Sequence, residues 1–148
     1  MEKLKIIAID GSATGTVVEA QFNPKELDIL KMIPWQQQPG KGPSDLIFTN
    51  SEPRTMTFEL QYDAFQTLTS IQGEIDKLQM LSDIDTVMKR PPKLKVSWGP
   101  EGGGMPKFEA VVTELVVKYT MVDPNSKPLR ATALLKLREA KNIVVKTV

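Results

Sequence analysis

Side chains able to do chemistry are sparse in this sequence, and the types most often used for it are missing. The 148 residues include no histidine and no cysteine. That removes the commonest general base and metal ligand, and with them thiolate nucleophiles, disulfides and cysteine-held zinc. Carboxylates stand close together at Asp83-Ile84-Asp85 and at Glu74-x-Asp76. Neither pair has a basic or metal-binding partner placed by sequence, so both read as a solvated helix face and its exit. Asp123-Pro124-Asn125 has the opening of a calcium loop, but Pro128 holds the glycine place and Leu134 the terminal glutamate place, so the match fails. Gly40-Lys41 fails as a phosphate loop, with Trp35 at the first glycine and Gly42 where Ser or Thr is needed. Any Ser-Lys or Asp-Asp site would have to be assembled from distant positions. The sequence therefore assigns no catalytic, cofactor-binding or metal-binding residue, and the expected class is not an enzyme. Trp98, at a strand end before Gly99, is expected at the core edge. Trp35, in a proline-rich loop, is the aromatic candidate for contact with another subunit or partner, and Arg54 and Arg138 join it. Arg54, Arg130 and Arg138 read singly as ordinary solvated charges on strand faces; as a set with Lys118 and Lys136 they would line one face of a hairpin.

The element that must position these charges is the stretch Phe108–Glu139. In its first arm Val111, Leu115, Val117, Tyr119 and Met121 fall on one face, interrupted only by Thr113. The other face carries Val112, Glu114, Val116, Lys118 and Thr120. In the second arm Leu129, Ala131, Ala133, Leu135 and Leu137 alternate with Arg130, Thr132, Lys136 and Arg138, with Leu134 as the exception. Period-two alternation signals strands, and Asp123–Pro128 between the arms is made of turn formers. The two arms form a β-hairpin. Keeping the apolar faces together requires paired residue numbers with an even sum. Tyr119 then lies on the buried face. Phe108–Val122 spans roughly 45–50 Å at about 3.3 Å per residue, against about 17–20 Å for a usual strand. Such an arm bends through a bulge or projects beyond its own body, and projecting strands leave edges that need partners.

Hydrophobic residues make up 41% and charged residues 25%, ordinary for a globular protein. The net charge of +1 supplies no field to draw in nucleic acid or an anionic membrane. No apolar run reaches the roughly 20 residues of a membrane span, and Met1-Glu2-Lys3-Leu4 does not open a signal peptide; the expected location is cytoplasmic. The length fits one domain over 1–148.

Along the chain, Leu4–Ile9 reads as a strand ended by Asp10-Gly11, and Thr16–Phe22 as a second one stopped by Asn23-Pro24. Leu27–Ile33 reads as a third strand or a single helical turn. Residues 34–53 form a long loop in which Leu46-Ile47-Phe48 could be a short strand. In Arg54–Tyr62 the alternation points Met56, Phe58, Leu60 and Tyr62 inward. Thr69-Ser70-Ile71-Gln72 fits a capping box, followed by a helix in which Ile71, Ile75, Leu78 and either Leu81 or Ser82 recur at three-to-four spacing. Arg90-Pro91-Pro92 ends the segment. Lys93–Trp98 is a strand, 99–104 a glycine-rich tip, and 142–148 a terminal extension able to pair with a sheet edge or fray.

Several signposts occur in a set order: Phe22-Asn23-Pro24, Phe58-Glu59-Leu60-Gln61-Tyr62-Asp63, Arg90-Pro91-Pro92, Val96-Ser97-Trp98-Gly99, Tyr119-Thr120 and Pro128-Leu129-Arg130-Ala131. Together they resemble the tube-like domain of contractile injection system tube-initiator or baseplate tube-adaptor proteins, related to the LysM-bearing baseplate proteins of phage tails and tailocins. The resemblance runs from about Leu4 to Glu139. It implies a mainly β tail-tube fold, an antiparallel two-sheet sandwich or barrel with one flanking helix and a long projecting hairpin. It further implies a structural role in a hexameric ring between the spike or hub and the inner tube, with sheath or other baseplate components as further neighbours. Family members commonly carry a LysM domain, which this sequence lacks. The particle would assemble in the cytoplasm and could be released.

A lumen that passes cargo needs a wetted wall, which Glu114, Lys118, Thr120, Arg130, Thr132 and Lys136 would supply with mixed charge. An ordinary inner-tube subunit is the rival within this class. The rival from another class is a monomeric β-barrel holding an apolar ligand in a cavity lined by Leu115, Val117 and Leu135.

Overall fold

The computed structural model describes residues 2–38, 40, 42, 45–100 and 102–145. Along them run β1 (Lys5–Ala8), β2 (Val17–Glu19), β3 (Leu27–Leu30), β4 (Trp35–Gln37), β5 (Leu46–Phe48), β6 (Thr55–Asp63), α1 (Gln72–Met80), β7 (Leu94–Ser97), β8 (Phe108–Val122) and β9 (Pro128–Glu139). Among the described residues seven strands join in the order β2-β1-β7-β8-β9-β6-β3, and β4 and β5 pair only with each other. Every ladder is antiparallel. The fold is mainly β with one helix, of the sandwich type expected.

Strands from opposite ends of the large sheet share one core. Ile6 and Val18 from β1 and β2 cluster with Met56 and Leu60 of β6, Leu135 and Leu137 of β9, and Ile75 and Leu78 of α1. For this to happen the sheet must curl, and two side-chain amides hold the curl. After β2, Gln21 donates through Nε2 to the Asp63 carbonyl at 2.7 Å and accepts the Asp63 N–H at 3.0 Å. Two residues on, Asn23 accepts the Leu4 N–H at 2.9 Å and donates to the Glu2 carbonyl at 2.9 Å. Each amide stands in for one step of a β-ladder, one toward β6 and one toward β1. This gives the Phe22-Asn23-Pro24 signpost a structural reason.

The helix buries Ile75 and Leu78, with Ile71 and Leu81 at its ends, as the spacing predicts. Its start differs from the capping-box expectation. Gln72 is the first helical residue and the N-cap is Ile71, without a side-chain cap. Ser70 Oγ instead accepts the Gln72 N–H at 3.1 Å.

A second difference concerns Asp85. Expected on a solvated exit, it is buried. Its carboxylate accepts the Ser12 N–H and hydroxyl at 2.7 and 2.5 Å, and the Val87 and Met88 N–H groups at 2.8 and 3.0 Å. The Ser12 hydroxyl, then the Ser12 and loop amides, hold its pKa far below the usual carboxylate range. Gly11, at φ +75°, packs against it so closely that an added Cβ would lie 2.9 Å from Asp85 Oδ2. A depressed carboxylate pKa stabilises the fold above the unfolded value near 3.9, and that stabilisation is lost as pH falls through the folded value. Melting curves from pH 7 downward should show Asp85→Asn less stable at neutral pH but with a shallower decline below about pH 4; parallel profiles would remove Asp85 from the acid response.

The 34–53 stretch is more ordered than a loop: it carries β4 and β5, the Leu46–Phe48 strand among them. Pro39, Lys41, Pro43 and Ser44 of that stretch, and residues 146–148 of the terminal extension, lie outside the described residues.

Candidate assembly surfaces

The hairpin occupies the span its alternation marked, but its faces are not constant along β8. The register pairs Val112 with Leu137, then Glu114 with Lys136, leaving Thr113 as an extra residue. A bulge of this kind turns over the side-chain phase. Before it, Phe108, Ala110 and Val112 look to the core; after it, Leu115, Val117 and Tyr119 do. The expected placement of Val111 on the apolar face and Val112 opposite is therefore reversed: Val111 pairs with Arg138 on the outer face. Numbers summing to an even value hold from Glu114–Lys136 to Tyr119–Ala131. A second irregularity near Thr120 precedes the turn. There Asp123 Oδ1 accepts the Asn125 and Lys127 N–H groups, each at 2.9 Å.

Tyr119 is on the inward face yet 43% exposed, not buried as expected. Its hydroxyl donates to Gln72 Oε1 at 2.8 Å, making it a strut from hairpin to helix. Tyr119→Phe should cost about 0.5–1.5 kcal/mol in chemical denaturation; a neutral result would mean that water replaces the bond.

The outer face collects most of the expected wall residues. Glu114, Lys118, Thr120 and Lys136 are exposed, and Arg130 and Thr132 half-buried. Arg130 is engaged within the chain: Nε donates to Asp63 Oδ2 at 3.1 Å, and the guanidinium lies 5.2 Å from the Phe65 ring centre. The Phe65 N–H, then the partial burial that opposes it, then Arg130 leave the Asp63 pKa lowered overall. Alternation in β6 adds Glu59 and Gln61 to this face, both opposite the inward Met56, Phe58, Leu60 and Tyr62 already legible in the sequence. Val116 pairs with Leu134 in its middle, so the outer face has a small apolar centre.

Of the three contact candidates, Trp35 and Arg138 are exposed. Arg54 is held at home. Its Nη2 meets Glu139 Oε2 at 2.8 Å and its guanidinium sits 5.2 Å from the Phe108 ring centre. The bond from Arg54 lowers the Glu139 pKa.

Backbone hydrogen bonding decides where the ribbon is open. Ala64 donates its N–H to the Leu129 carbonyl at 2.8 Å, which sets the alternation of the β6–β9 ladder. Even-numbered residues of β6 bond odd-numbered residues of β9, so even-numbered residues of β9 bond β8. There they meet Glu114, Val116 and Lys118. The N–H and C=O groups of Leu115, Val117 and Tyr119 consequently point away from β9. β7 covers β8 only along Phe108–Ala110, and among the described residues no strand covers the rest. On the other side β3 covers β6 along Thr55–Phe58, and among the described residues no strand covers the outward backbone groups of Glu59 and Gln61. Beside them lies a groove of about 490 Å³ that Pro24 and Leu134 help to line.

Leu135 is fully buried, with Leu115 and Val117 packed on the same core. The apolar-ligand rival needs that space empty. Among the described residues no group of three or more acidic side chains is placed to hold a metal ion, and no helix is long and apolar enough to cross a membrane.

A search of curated proteins returned no match. The family model for contractile injection system tube proteins matches residues 1–146. Over nearly its whole length, the chain belongs to the family of contractile injection system tube proteins.

Proposed function

We propose that this chain is the ring subunit that joins the spike or hub of a contractile injection particle to its inner tube and starts tube assembly. Family membership makes it a structural, tube-related subunit of a multi-subunit injection particle. The ring, its sixfold closure and the initiating role extend that. One observation carries the reading: among the described residues no strand pairs with the ribbon β8-β9-β6-β3 along Leu115–Tyr119 on one side, or along β3 and the Glu59–Gln61 part of β6 on the other.

Rotation about a ring axis keeps strand direction. Along β8-β9-β6-β3 the directions alternate, so the neighbour's β8 would run antiparallel to β3, continuing the ladder without a clash of polarity. Closure would then remove both open edges. The core and helix occupy one face of the ribbon, which leaves the face of Glu59, Glu114, Lys118, Thr132 and Lys136 for the lumen. Its charges are of both signs, as a passage that must not hold its cargo requires. Arg138 is left for contacts at an end of the ring, and Trp35 for contact with another subunit.

Electron microscopy of the purified chain tests this directly. Single sixfold rings, which extend only when tube protein is added, are the expected result. Long tubes from this chain alone would make it the repeated inner-tube subunit, and dispersed monomers at high concentration would overturn the ring. Lys118→Glu, on the exposed face, should shift stability by no more than about 0.5 kcal/mol. A larger loss in thermal melting would mean that the two faces are inverted.

A further inference from the structure

Two groups of large apolar side chains stand in water when one copy is taken alone, and they lie at opposite ends of the strand order. The first is the arm that continues β3. Among the described residues its strands β4 and β5 pair only with each other. Trp35 and Phe48 meet there with ring centres 5.2 Å apart, yet remain 55% and 54% exposed. Met32 and Ile33 of the lead-in are exposed as well. A lone two-stranded ribbon is marginal in water, so an arm of this composition needs a surface to lie on.

The second group is a knob between α1 and β7. Ile84 and Val87 are 71% and 82% exposed. Their loop is nevertheless among the most heavily bonded segments of the chain. Besides the four bonds to its carboxylate, Asp85 donates its N–H to the Arg90 carbonyl at 2.9 Å and accepts the Lys89 N–H at 2.7 Å. Arg90 in turn meets Asp10 at 2.9 Å. A buried carboxylate is an expensive way to fix a loop whose apolar tips stand mostly in water among the described residues. The rigidity has a use if those tips meet a partner, because ordering them beforehand removes that cost from binding.

We propose that the arm of one copy packs on the Ile84–Val87 knob of the next copy in the ring. The inference rests on the ring reading above and adds a second contact to the strand pairing. Placement argues for a second copy as the occupant. The arm leaves β3, at one end of the strand order. The knob is tied through Ser12 and Asp10 to the β1–β7 end, beside the open part of β8. A head-to-tail junction needs two different surfaces on opposite sides of one chain, and the junction that sets β8 against the neighbour's β3 brings these two to the same side. Residues 31–37 span about 23 Å when extended at about 3.3 Å each, enough to cross the width of several strands. Charge agrees: Lys31 on the lead-in and Asp83 beside the knob have opposite sign, and neither is in an ion pair among the described residues.

Because the chain has no cysteine, the contact can be read by cross-linking. Phe48→Cys and Val87→Cys chains are made separately, mixed, and oxidised under conditions where rings are counted by microscopy. A mixed disulfide dimer should be the main product, and the double variant should give a ladder of linked species. Rings without the mixed product, or with like-to-like dimers in its place, overturn the arm–knob contact and leave the ring standing. No rings and no product overturn both. Val87→Asp provides the second readout. Its circular dichroism and melting should match the parent, since the side chain is exposed, while sedimentation should move from ring to monomer. Rings that survive Val87→Asp, or knob cross-links to a surrounding collar protein rather than to Phe48→Cys, sink the proposal.

Discussion

Phe108→Ala lowers the stability of the folded chain by about 3–5 kcal/mol, the largest single-site loss expected here. Phe108 is fully buried and heads the largest side chains in the core. It stands where β7 meets β8, opposite Val96, and the Arg54 guanidinium lies against its ring. Truncation removes the ring from the core, leaves a cavity that fixed neighbouring strands cannot close, and strips Arg54 of its aromatic contact. The Arg54–Glu139 pair keeps its bond at 2.8 Å but loses the surface it rests on. Urea unfolding should show a lower midpoint with an unchanged slope. A loss under about 1 kcal/mol would mean that this end of the sheet collapses around the gap.

Val117→Pro should abolish ring formation and leave a folded monomer. The N–H of Val117 points to the open edge, so proline there removes no bond to β9, and edge strands tolerate proline in that orientation. The monomer should lose about 0.5–3 kcal/mol, since the half-buried valine also packs on the core. A strand arriving from the next copy would find a missing donor and a ring in its path. Lys118→Pro is the matched control: its N–H is directed at Thr132, so it should damage the hairpin itself. Size-exclusion chromatography with circular dichroism separates the outcomes. Rings that survive Val117→Pro would show that the β8 edge is not the joint.

Much of the fold is legible in the sequence because it is carried by periodicity. The limits of the hairpin, the inward residues of β6 and the buried stripe of α1 all follow from spacing alone. What spacing could not give is phase. Thr113 breaks the apolar series as an extra residue, and a pattern read with one fixed phase puts Val111 and Val112 on the wrong sides. The signal was present, since Phe108, Ala110 and Val112 alternate in one phase and Leu115, Val117 and Tyr119 in the other. Polar side chains doing backbone work were less visible. Gln21, Asn23 and Asp85 are ordinary surface types by composition, and only their distant partners, Asp63, Leu4 and Ser12, reveal what they hold. The exposed residues of the outer face were readable by alternation. The open edge was not, because it depends on how far β7 and β3 extend along their neighbours.

The extra residue at Thr113 also constrains how relatives of this chain can differ. Deleting Thr113 itself would join Val112 to Glu114 opposite Leu137 and Lys136, leaving one unbroken alternation in which Phe108, Ala110, Val112, Leu115, Val117 and Tyr119 all keep their side. A single deletion among the paired residues of either half would instead carry its neighbours to the opposite face until the bulge absorbed the shift. In an alignment of homologues, single-residue gaps between Phe108 and Tyr119 should therefore gather at Thr113.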